Sequence, residues 1–101
     1  MAKCFYKEFI GAFAIRDGDA VAFAVDNFER LIRDGVMANA RLLPADESRP
    51  VLIALKADLT SYTAGARALP VEAAEGMRES VERLIAAAQS AQEDAERILG
   101  G

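Results

Sequence analysis

Histidine and tryptophan are absent from this 101-residue chain, and cysteine occurs once, at Cys4. The missing histidine removes the commonest general base and the commonest transition-metal ligand together. It also rules out a Glu-x-x-His di-iron site of the kind carried by helical bundles. A single cysteine makes no intrachain disulfide and no multi-cysteine metal framework. Cys4 reads as a small apolar residue near a helix start, with a reactive thiol as the alternative. Valine, isoleucine and threonine are sparse, and no strand-like alternation occurs. Also missing are a glycine-rich phosphate loop, a nucleophile elbow and a dinucleotide fingerprint.

Charge excludes further classes. Twelve basic and 16 acidic residues give a net charge of −4. No basic stripe is present to displace counterions from phosphates, so neither nucleic acid nor an anionic membrane surface is an expected partner. No apolar run approaches the ~20 residues that span a bilayer. The N-terminus has some features of a signal peptide: Lys3 and Lys7, the apolar run over residues 9–15, then Ala20-Val21-Ala22. Glu8 and Arg16-Asp17-Gly18-Asp19 interrupt that pattern, and the expected location is cytoplasmic.

What is present is helical periodicity. Ala74, Met77, Val81, Leu84, Ala88, Ala91, Ala95 and Ile98 recur at spacings of three and four. That is the seam of an amphipathic helix able to pack side by side with another. The fold expected over residues 1–101 is one all-α domain, an antiparallel bundle of three to four amphipathic helices with a long, coiled-coil-like last helix. The first helix covers roughly residues 3–15. Asp19 is the expected N-cap of the second, whose seam reads Val21, Val25, Phe28, Ile32, Val36, Leu43. Gly35 lies inside that pattern and either breaks the helix or is tolerated at ~1 kcal/mol.

Pro44 ends the second helix and residues 45–47 form a loop. Ser48 then caps a third helix with Pro50 in its first turn. Its register is Leu52, Leu55, Leu59, Tyr62, Ala66, Leu69. Pro70 breaks the chain before a last helix over residues 71–99, about 43 Å long at 1.5 Å per residue. Of the apolar residues, 21 are alanine, so a lone chain has a modest core and oligomerisation is expected.

Two sets of residues stand out as candidate sites. Residues 9–15 and 20–25 carry no polar side chain on any face and need cover all round. Phe5, Phe9, Phe13, Phe23 and Phe28 are accordingly the expected interface of a homodimer or higher oligomer, and Phe13→Asp is expected to dissociate it. The hydroxyl run Thr60, Ser61, Tyr62, Thr63 suggests a ligand pocket built from Tyr6, Lys56, Thr60, Thr63 and Arg67. Its alternative is plain helix structure, with hydroxyls bonding back to carbonyls a turn earlier.

Asp17-Gly18-Asp19 lacks the further oxygen ligands of a calcium loop and reads as a turn and cap. Glu79–Arg83, Glu93–Arg97, Asp26–Arg30 and Glu29–Arg33 have i,i+4 spacing and read as solvated helix faces, as does the reversed Arg78–Glu82. No catalytic residue, metal or cofactor is expected. The function expected is that of a non-catalytic regulatory protein binding itself and a second protein through helices. A small-ligand-binding oligomer and a small acidic chaperone with accessible N-terminal apolar segments are the alternatives.

Overall fold

Alanine, leucine, glutamate and arginine dominate the periodic segments, and every such segment is helical in the computed structural model, which describes residues 2–70 and 76–100. No strand occurs among the described residues. Helix α1 spans Ala2–Ala14 and α2 spans Gly18–Arg30. The second rod continues through a π-helical stretch, Leu31–Met37, into α3, Ala38–Leu42. Helix α4 spans Ala45–Arg67 and α5 spans Arg78–Gly100.

The turn between α1 and α2 is capped from both sides. Arg16 takes the left-handed conformation at φ 59°, costly for a residue with a Cβ. Its amide bonds back to the Phe13 carbonyl and that of Asp17 to the Ala12 carbonyl, the pairing of a Schellman stop. The Arg16 guanidinium donates to the same Phe13 carbonyl at 2.7 Å and lies 4.8 Å from the centre of the Phe13 ring. These contacts offset what glycine would otherwise supply. Asp17, not Asp19, is the N-cap of α2, its Oδ1 accepting from the Ala20 amide at 3.1 Å.

Gly35 does not break the second rod. The buried positions are Val21, Ala24, Val25, Phe28, Ile32, Met37 and Ala40. The step from Ile32 to Met37 is five residues, where the three-four pattern calls for four. One extra residue per turn is what a π-helix accommodates. The expected seam residue Val36 is therefore only half-buried, and Leu43 is 41% exposed.

Helix α4 starts a turn earlier than Ser48. Pro44 stands at its N-cap position and accepts from the Glu47 and Ser48 amides, so residues 45–47 form its first turn and not a loop. Ser48 is buried and donates to the Ala45 carbonyl. Pro50 lies inside the helix, where it has no N–H for the carbonyl a turn back. The last helix starts at Arg78; Gly76, at φ 89°, stands outside it. Its 23 residues span about 34 Å. Met77, Val81, Leu84, Ala88, Ala91 and Ala95 are buried as the seam requires, and Ile98 is half-buried. Ala74 lies outside the described residues.

Packing follows from these seams. Helix α1 packs on α2, α2 on α5, and α5 on α4. Lys56–Glu96 and Thr60–Gln92 contacts show α4 and α5 antiparallel. Asp26–Arg83 and Arg41–Asp94 show the second rod parallel to α5, the direction that follows when each helix runs antiparallel to the one before it. The result is elongated, 44 × 19 × 16 Å. No helix of the described residues is long and apolar enough to cross a membrane.

Candidate functional site

The five phenylalanines expected at an interface part company. Phe9, Phe13 and Phe28 are 2% exposed or less and form the core of this chain. Phe5 packs half-buried against that core, and Phe23 alone is open, at 66%. The all-apolar N-terminal segments thus find much of their cover at home, α1 and α2 serving each other. Phe13→Asp would place a charge in a sealed core and unfold the chain rather than separate copies of it.

The hydroxyl-centred residues do not converge on a cavity either. Tyr6 stacks on Tyr62 with ring centres 4.3 Å apart and donates its hydroxyl to the Tyr62 carbonyl at 3.1 Å. Burial pushes both tyrosines above their ordinary pKa, for Tyr62 with help from the Asp58 charge. Thr60 donates back to the Lys56 carbonyl at 2.9 Å and accepts from Gln92 at 2.6 Å, while Lys56 pairs with Glu96 at 3.2 Å. Thr63 is buried with its hydroxyl unpartnered, and Arg67 is exposed. Lys56 and Thr60 work as polar ties between α4 and α5, and Tyr6 ties α1 to α4.

A different surface is concave. Between the second rod and α5 lies a cleft of about 410 Å³. Ile32 and Met37 from the π-helical stretch, with Ala87 and Ala91 from α5, make its apolar floor. Glu29, Arg33 and Arg41 stand along one rim, Arg83 and Asp94 along the other, and Ala86 and Ser90 complete a wall of small side chains. Of the chain's 12 basic residues three line this cleft, against two of its 16 acidic ones. The lining is thus richer in arginine than the acidic chain as a whole.

The ion pairs there run between helices. Arg83 bonds to Asp26 at 2.6 Å and Glu29 at 3.2 Å, instead of Glu79 one turn back. Hydrogen bonding to Asp26, reinforced by Glu29, holds its guanidinium protonated beyond the ordinary range. Arg97 pairs with Asp94 rather than Glu93, and Arg41 approaches Asp94 at 3.9 Å. Arg33 reaches only its neighbour Asp34, both well exposed. Of the three arginines lining the cleft, Arg41 has the longest ion pair, and Arg33 is tied only to its exposed neighbour Asp34. A second hollow of about 420 Å³ adjoins at Arg41, under Leu43, Arg49, Ile98 and Leu99.

The cleft was not legible in advance because its two walls come from helices that only the fold makes neighbours. The available hint was the run Ala86, Ala87, Ser90, Ala91 on one flank of the α5 seam. Among the described residues no group of three or more acidic or cysteine side chains is placed to hold a metal ion. No family model, curated protein or solved structure matches the chain.

Proposed function

We propose that the chain is a non-catalytic interaction protein that works by docking helices, those of its own copies and those of a second protein. The cleft between the second rod and α5 carries this reading. Its floor is apolar, its walls are small enough for a partner backbone to approach closely, and no α1 or α4 residue covers it. Among the described residues, six large apolar side chains elsewhere, from Ile15 and Phe23 to Leu42 and Ile53, remain exposed as further contact surface.

Native mass spectrometry under gentle conditions tests the proposal. Integer multiples of the 10.8 kDa chain are expected. A bare 10.8 kDa species at every concentration would count against self-docking. The cleft volume also suits a small molecule, since ligand pockets run to roughly 300–1,000 Å³. In that second reading Arg33 and Arg41 supply the polar contacts, and an added mass that survives desalting is the expected sign.

A further inference from the structure

The cleft has a matching surface on the same chain. Gly65, Tyr62, Asp58, Ala54, Val51 and Glu47 recur at spacings of three and four, so they share one stripe along α4. At Tyr62 and Gly65 the stripe is covered by α1: Tyr6 stacks on the first and its hydroxyl sits over the second. Further toward the start of α4, Asp58, Ala54, Val51 and Glu47 are all exposed. Among the described residues neither the Glu47 nor the Asp58 carboxylate takes part in an ion pair. A helix-packing seam thus runs out from under α1 with nothing on it.

Stripe and cleft are complementary in polarity and charge. Glu47 to Asp58 covers about 16 Å of helix and Arg33 to Arg41 about 12 Å, a difference that long arginine side chains can span. Val51 and Ala54 present apolar side chains between two carboxylates, and the cleft has Ile32, Met37, Ala87 and Ala91 on its floor with three arginines, Glu29 and Asp94 along its rims. Arg83 is already held by Asp26 and Glu29, so the charge match falls on Arg33 and Arg41, whose own partners are the exposed neighbour Asp34 and, at 3.9 Å, Asp94.

We propose that the exposed stripe of α4 on one copy docks into the cleft of a second copy. The proposal rests on the helix-docking reading given above and names its surface. Stripe and cleft share no residue, so the contact is head-to-tail: each copy keeps one free stripe and one free cleft, and assembly continues into open chains or rings. Charges at the rim make the association weaker at high salt.

Two variants test this in sedimentation experiments over a concentration series. Ala87→Arg/Ser90→Arg fills the cleft and leaves the stripe; Glu47→Lys/Asp58→Lys reverses the stripe and leaves the cleft. All four positions lie on the surface or at the cleft mouth, and circular dichroism checks that helix content is kept. The wild type is expected to gain mass with concentration, and each variant to stay at 10.8 kDa. Mixed one to one, the variants are expected to form a species of twice that mass, because one intact stripe meets one intact cleft. Variants that assemble like the wild type, or a mixture that stays monomeric, overturn this contact while leaving self-association by another surface standing. A wild type that stays monomeric throughout overturns both.

Discussion

In the half of the second rod that α1 packs on, Phe28 is buried edge-on to Tyr62, which stacks on Tyr6 of α1 with Phe9 beside it. Toward the other end the rod contributes Met37 to an open cleft, opposite Ala87 and Ala91. The difference comes from length. Helix α1 has 13 residues and is about half as long as the rod it packs against, so only the first end gains a fourth layer. Aromatic rings fill the deep end, while small residues suffice at the shallow one. Stability should therefore concentrate around Phe28, leaving binding surface to the shallow end.

Exchange of phenylalanines gives the largest contrast. Phe28→Ala empties the closed end and is expected to cost about 3–5 kcal/mol, since the cavity cannot collapse among packed rings. Phe23→Ala removes an exposed ring and should change stability by no more than about 0.5 kcal/mol. Urea denaturation of both variants measures the gap. Equal costs would mean that the closed end is not where the fold is held.

Gly65 sharpens the same contrast at the closed end. A Cβ there would collide with the Tyr6 hydroxyl, whereas the ring carbon beneath it lies 3.6 Å away, an ordinary contact. Gly65→Ala gains about 1 kcal/mol of helix propensity but overpacks the α1–α4 contact by about 1–3 kcal/mol. The expected net effect is a loss of about 1 kcal/mol. In Tyr6→Phe/Gly65→Ala the obstacle is gone, and the alanine should become favourable. A double-mutant cycle that shows simple additivity would place the Tyr6 ring elsewhere.

How far the sequence foretold this depended on whether a feature was local. The α5 seam from Met77 to Ala95 was legible because a three-four spacing needs no knowledge of neighbours. The stop at Pro44 was legible for the same reason. Asp17 was passed over for Asp19 because both are good caps, and the choice was made by the Arg16 turn, whose left-handed conformation no glycine announced. Phe9, Phe13 and Phe28 read as interface residues from the sequence because apolar segments demand cover, and periodicity does not say that α1 and α2 cover one another. The cleft needed α2 and α5 to lie side by side, which no local spacing encodes.

At the open end the π-helical step makes a prediction that ordinary helix logic would reverse. Deleting a residue from a helix normally turns everything beyond it by about 100° and ruins the seam. Deleting Gly35 shortens the five-residue step between Ile32 and Met37 to four, so the same buried side chains stay in line. The variant should fold, with stability within about 1 kcal/mol of the wild type because a glycine leaves the helix. Deleting Asn27, between Val25 and Phe28, should abolish cooperative unfolding. If both deletions prove equally damaging, the extra residue is not the one the π turn absorbs.

The smallest effect separates the ends by pH. Tyr6 and Tyr62 sit at the closed end with pKa values raised by burial, and no tyrosine lies at the open end. In the unfolded chain both ionise near their ordinary value of about 10. Their folded values are higher, so the folded state holds its protons longer. The stability that depends on neutral tyrosine is complete below about pH 10 and is lost as pH rises through the folded values. Denaturation followed by tyrosinate absorbance should show stability falling on that alkaline side. Tyr6→Phe should weaken the fall while giving up the hydrogen bond to the Tyr62 carbonyl, about 1 kcal/mol that is already missing at neutral pH. A variant with the wild-type alkaline profile would mean that Tyr6 meets water freely, and the stack that closes this end of the bundle would not hold in solution.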